Sequence, residues 1–187
     1  MSYRPRDRST SVGKISFGTL PLSLATTNRW DVAVKWRLFQ HFLDGDDPDA
    51  MGVYLWHIER RMKDLKDLGF LHKYKGADST LLSNARELFD RMRLNGFDSQ
   101  APILIDPNGV ILDGAHRTAC AIALGLGVVV IRIGVYSTAP DWGCRWFEDR
   151  GMPEGDLAIL KFIWSWLHAG SPDKKWLQVW KNWQDLR

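Results

Sequence analysis

Five consecutive residues, Asp113-Gly114-Ala115-His116-Arg117, set an acid, a glycine, a titratable ring and a permanent cation where an extended run gives way to a helical one. The amides that open a helix have no intrahelical partner, and the helix dipole places roughly half a positive charge on them. Gly114 allows the sharp turn after which the free amides of residues near 115–118, Thr118 included, point out of the helix start. Arg117 adds a planar fork suited to phosphate oxygens, and His116 adds a donor whose charge can change near neutral pH. Together these groups are what a polyphosphate needs. They also admit an architectural reading, in which Asp113 caps the helix, Arg117 pairs with Asp113 and His116 packs as a polar core group. A cap, however, would need only the aspartate.

The elements that must position these residues are legible on both sides. "ILIDPNGVIL" alternates into a turn at Asp106-Pro107-Asn108-Gly109, which predicts a hairpin closing on Leu112 and Asp113. Thr118, Ala119, Ile122, Ala123 and Leu124 then predict a small-residue helix packed closely on a sheet and ended by Gly125. "VVVIRIGV", residues 128–135, is β-branched and reads as a buried central strand. Before the hairpin, Leu82, Ala85, Leu88, Phe89 and Met92 form the stripe of a helix capped by Asp78 or Ser79 and stopped by Gly96.

Further out, residues 29–43 predict a helix with Trp30, Val34, Leu38 and Phe42 on its apolar face, followed by an exposed acidic turn at 44–49. Residues 53–68 predict a second helix, with Tyr54, Ile58 and Met62 on one face and Glu59, Arg60 and Arg61 on the charged one. "FLHKY", 70–74, is a candidate strand, and residues 13–28 could hold one more. Seven of the ten tryptophans lie after Ser137, five of them in two expected helices over 156–168 and 172–187; they read as an aromatic core or as a wall for a ligand.

Composition narrows the classes. A hydrophobic share of 45% and a charged share of 25% are those of a globular domain, and a net charge of +3 lacks the basic stripe of a dedicated duplex binder. Cys120 and Cys144 form no metal or redox motif, which fits a cytoplasmic protein; no segment is apolar and long enough to suggest a membrane partner. The expected organisation is a disordered basic arm at 1–12, a helical extension at 13–69, a core at 70–136 and a tryptophan-rich helical extension at 137–187, forming one compact α+β domain.

The segment "PILIDPNGVILDGAHRTACAIALG", 102–125, resembles the core of the ParB/sulfiredoxin superfamily, and the similarity extends over about residues 70–135. The resemblance implies a small mixed sheet with packed helices. Three chemistries of that superfamily make different demands on this sequence. Sulfiredoxins carry a reactive cysteine where this chain has Ala115; Cys120 lies on a packing position a helical turn later, which argues against that activity. Chromosome-partition ParB proteins bind CTP at a Gly-Glu-Arg-Arg box and continue into a helix-turn-helix, whereas this chain has Gly114-Ala115-His116-Arg117 and a tryptophan-rich tail, which demotes DNA as a partner.

ParB-like small-molecule kinases, such as the free serine kinases, have an Asp-Gly-His box similar to Asp113-Gly114-Ala115-His116. That branch implies ATP or ADP with Mg²⁺ as cofactors and a small hydroxylated molecule as substrate. The nucleotide phosphates would sit on Gly114, Ala115, His116, Arg117 and Thr118. Asp113 would hold the metal or accept the substrate proton, and His116 would stabilise transferring charge. Asp78 and Glu59 are the candidates for the additional base that those kinases draw from an N-terminal segment. The alternative is a nucleotide-gated module that binds DNA or protein.

Overall fold

The computed structural model describes residues 11–15, 29–67, 78–135 and 142–169. Strands β2 (Ile103–Ile105) and β3 (Ile111–Asp113) make the expected antiparallel hairpin. Its turn is held by Asp106, whose Oδ1 accepts from the amides of Asn108 and Val110, both at 2.8 Å. Because the aspartate side chain mimics a backbone turn, Gly109 alone there needs positive φ, at +86°.

Strand β4 (Val128–Arg132) runs parallel to β2, with Ile103 opposite Val130. Strand β1 (Ser11–Ile15) pairs antiparallel with the other edge of β4, Ser11 opposite Arg132 and Ile15 opposite Val128. The sheet order is therefore β1–β4–β2–β3, and the β-branched strand is interior as its composition requires. One boundary is corrected here. A strand begins at Ser11, inside the stretch assigned to the disordered arm, and the sheet of the core is completed from the N-terminal extension. A bare edge on β4 would leave its amides and carbonyls unpaired, and β1 supplies their partners.

Among the described residues six helices accompany this sheet: α1 (Asp31–Asp44), α2 (Ala50–Asp67), α3 (Asp78–Asn95), α4 (Ala115–Leu124), α5 (Cys144–Asp149) and α6 (Glu154–Ala169). The class is α+β. Helix α5 was not foreseen from the sequence; it is a single short segment beginning at Cys144. The expected strand at 70–74 and the expected helix after Pro172 lie outside the described residues.

Helix α1 is the element the periodicity underestimates. It packs against α4, α2 and α6, and every residue from Asp31 to Phe39 is buried, not a single stripe. Its charged side chains are consequently paired inside the protein, as buried charges must be. Asp31 accepts from Arg29 Nε at 2.7 Å and Nη2 at 2.9 Å and pairs with Lys35 as well. Arg37 bonds Asp47 at 2.5 Å and Asp156 at 2.9 Å, joining α1 to the loop after it and to α6. Asp47 is thereby only 5% exposed, which corrects the expectation of a wholly exposed acidic turn.

Two tryptophans of α6 pack on α1, Trp164 against Trp30 at 5.7 Å between ring centroids and Trp166 against Trp36 at 4.9 Å. For these the core reading of the aromatic tail holds.

Candidate functional site

Gly114 is the hinge of the site. It joins β3 to α4 with φ +96°, and an added Cβ would meet Arg117 Nη2 at 3.1 Å and Ile103 Cα at 3.3 Å. No side chain caps α4, so Asp113 is not its N-cap. The first backbone bond of the helix runs from the Thr118 amide to Gly114 O at 2.8 Å, and the Thr118 hydroxyl donates to the same carbonyl at 3.0 Å. Thr118 is buried and both its donors are engaged, which removes it from the expected phosphate set. The amides that precede this bond belong to Ala115, His116 and Arg117.

Asp113 is exposed, and its carboxylate pairs with Arg117 at 2.8 Å. Arg117 Nη2 also donates to Pro102 O at 3.1 Å, while its buried Nε has no partner. The architectural pairing of these two residues is therefore real, and it leaves part of the guanidinium fork unused. His116 shares a hydrogen bond of 2.9 Å between Nε2 and the Tyr54 hydroxyl. Burial, reinforced by Lys35 and Arg61 and only partly opposed by Asp31, holds the His116 ring well below its ordinary pKa, so it is neutral at physiological pH. Burial likewise pushes the Tyr54 hydroxyl up to about 12.

These residues open onto a cavity of about 430 Å³, a size within the range of small-molecule sites. The hinge contributes Asp113 to Arg117; α2 contributes Tyr54 and Arg61, and α3 contributes Asn84 and Arg91; Arg29 and Trp142 also face the cavity. Four arginines thus face the cavity, and Asp113 is the one carboxylate among the described residues that does so. Beneath it, Asp31 carries two cations, Arg29 and Lys35. Burial alone would raise the Asp31 carboxyl, but Arg29 and Lys35 hold it well below the usual carboxylate range. The Lys35 ammonium is pushed down to about 7 by burial and by the neighbouring Arg61 and Arg29, against the pull of Asp31. The cavity is electropositive by construction.

The structure sorts the sequence candidates. Asp113, Gly114, Ala115, His116 and Arg117 come together at the cavity. Glu59 does not: its side chain is 70% exposed, pairs with Arg60 at 3.2 Å and is absent from the lining. It follows Ile58 by about 100° around the helix, which turns it away from the lining residues Ile58, Arg61 and Met62. Asp78 begins α3, and its side chain is outside what is described. Cys120 is fully buried with its thiol pushed up to about 12 by burial, in keeping with an inert packing role.

Arg29, Arg61, Arg91, Tyr54 and Trp142 were missed as site residues. One signal existed for Arg61. It lies seven residues after Tyr54, on the apolar side of α2 and not on its charged face.

A phosphate-borne Mg²⁺ fits these residues, whereas a metal caged by protein does not. Among the described residues no group of three or more histidine, cysteine or carboxylate ligands converges. Mg²⁺ bound with phosphates takes one or two carboxylates and completes its shell with phosphate oxygens and water; Asp113, exposed at the cavity, can be such a ligand.

The fold and cavity define an α+β protein with an arginine-lined pocket at a strand-to-helix hinge. Comparison with known proteins names no family for it: no family model, curated protein or solved structure matches the chain. Among the described residues no helix is long and apolar enough to cross a membrane.

Proposed function

We propose that the protein is a nucleotide-dependent phosphotransferase acting on a small hydroxylated metabolite, with the nucleotide phosphates held at the Gly114–Arg117 hinge. The observation that carries this reading is the cavity itself, where among the described residues four arginines and the open amides of α4 stand against one carboxylate. A polyanion is the ligand such a balance favours. The concave shape supports a small acceptor over a DNA clamp, which would need a continuous basic face.

In this reading the amides of Ala115, His116 and Arg117 and the guanidinium of Arg117 bind the phosphate tail. His116, kept neutral, donates to the transferring phosphoryl group without releasing a proton. Asp113 is the ligand for Mg²⁺, which when bound would neutralise phosphate charge. Alternatively, Asp113 accepts the proton of the acceptor hydroxyl as its oxygen forms the new bond to phosphorus and the bond to the nucleotide breaks. No second lining carboxylate is described, so these two roles fall to one residue.

A thermal-shift panel of ATP, ADP, CTP and GTP, each with and without Mg²⁺, tests the reading. A nucleotide at a hundred times its Kd stabilises the native state by about 2.7 kcal/mol. A shift for ATP or ADP that Arg117→Ala reduces by half or more is expected. No shift with any nucleotide refutes the proposal, and a CTP-only shift returns the alternative of a gated binding module.

A further inference from the structure

The arginines of the cavity fall into two sets with different supports. Arg117 is fastened to Asp113 and Pro102 at the hinge. Arg61, on α2, instead lies against the Trp142 ring, its guanidinium carbon 4.4 Å from the ring centroid, and Arg29 approaches the same ring at 5.0 Å. A cation resting on an aromatic face keeps its charge, and its in-plane N–H donors stay directed outward.

Three lining residues carry a buried donor with no hydrogen-bond partner: Arg117 Nε at the hinge, and Arg61 Nε with Trp142 Nε1 at the other set. Buried donors are nearly always paired, so an unpaired one on a cavity wall marks a place for an acceptor atom. Here two of them belong to side chains in mutual contact. Trp142 is also covered by guanidinium groups, which makes it a poor platform for a nucleotide base and a good backing for cations. Arg29 has each of its three nitrogens already bonded, to Asp31 and Ile111 O, so its main contribution at this end is charge.

We infer that the cavity holds two separate anions, and that the second, at Arg61 and Trp142, is an oxyanion group of the acceptor. The acceptor is then a small hydroxylated acid, carrying a carboxylate or a phosphate ester, and not a neutral sugar or polyol. This rests on the phosphotransferase reading for the word acceptor; the second anion site itself does not.

The experiment is calorimetric titration of the full chain saturated with Mg²⁺ and the β,γ-imido analogue of ATP. Glycerate, glycerol 3-phosphate, inorganic phosphate and glycerol are the probes, on the wild type, Arg61→Gln, Arg61→Lys and Arg117→Gln, each shown folded by a urea melt. The saturated wild type should bind at least one of the three anions and not glycerol. Arg61→Gln should weaken that anion at least tenfold while leaving the ATP analogue within twofold, and Arg61→Lys should fall between. Glycerate and glycerol 3-phosphate separate a carboxylate acceptor from a phosphorylated one.

The inference is overturned if no anion binds the saturated protein, if glycerol binds as well as the acids, or if Arg61→Gln costs the ATP analogue as much as Arg117→Gln does. The last result would mean one polyanion spans both sets. Should the analogue fail to bind while an anion binds through Arg61, the phosphotransferase reading falls and the second anion site stands.

Discussion

Replacing Gly114 with alanine, beside the same change at Gly125, separates backbone strain from crowding at the hinge. Both glycines are left-handed, at φ +96° and +64°, and flank the same helix, as N-cap and C-cap of α4. An alanine in that region costs roughly 1–2 kcal/mol in either place. The two differ in their surroundings: nothing lies within 4 Å of a Cβ on Gly125, whereas at Gly114 it would meet Ile103 Cγ1 at 3.2 Å, Ile103 Cα at 3.3 Å and Arg117 Nη2 at 3.1 Å.

The guanidinium can swing aside, but only by giving up its bonds to Asp113 and Pro102, a loss of about 0.5–1.5 kcal/mol for each. Ile103 is buried in the interior strand β2 and cannot yield, and overpacking there costs about 1–3 kcal/mol. Gly114→Ala should therefore be less stable than Gly125→Ala by about 2–6 kcal/mol, which for a chain of this size is roughly 4–24 °C in Tm. Urea and thermal melts of both variants measure this directly. Equal losses would show that the hinge is not tightly packed, and the account of why a glycine positions Arg117 would fail.

Three further outcomes follow from the same geometry. Arg117→Ala should weaken nucleotide binding by about 1.5–3 kcal/mol, the scale of a charge-assisted contact, and calorimetry showing unchanged affinity would remove the phosphate assignment. Asp113→Asn should keep the fold, because the carboxylate is exposed and caps nothing, while abolishing turnover in a coupled phosphotransfer assay; loss of folding would make Asp113 structural. Lys35 sets a pH dependence. Its folded pKa is about 7, below the ordinary value near 10.4, so between these limits the unfolded chain binds more protons and this group makes stability rise with pH. Lys35→Met should flatten that rise when urea melts at pH 7.5 and 9 are compared with the wild type, and an unchanged slope would contradict the assignment.

Much of the hinge was readable in one dimension because each of its demands is local. Asn108-Gly109 makes a turn, Gly114 makes a left-handed corner, and the alanine-rich run after it makes a helix that can sit close to a sheet. Asp113 to Arg117 meet at the cavity because they are neighbours along the chain. The interior place of β4 was equally local, since a β-branched run with little polar content belongs between two other strands.

What α1 buries could not be read this way. Its sequence shows one apolar stripe, yet Asp31, Lys35 and Arg37 are buried because four other helices close around it, and a charge is tolerated inside only when a partner meets it. Lys35 and Asp31 are an i,i+4 pair within the helix, but the other partners stand two, ten and 119 residues away, a range that no periodicity encodes. The cavity was hidden for the same reason. Arg29, Arg61, Arg91 and Trp142 come from four separate stretches of chain, and only packing sets them around the hinge. The corner and the donors beside it were written in neighbouring residues, since they depend on adjacent dihedral angles; how much positive charge surrounds that corner emerged only on folding, because charge density is a property of distance through space.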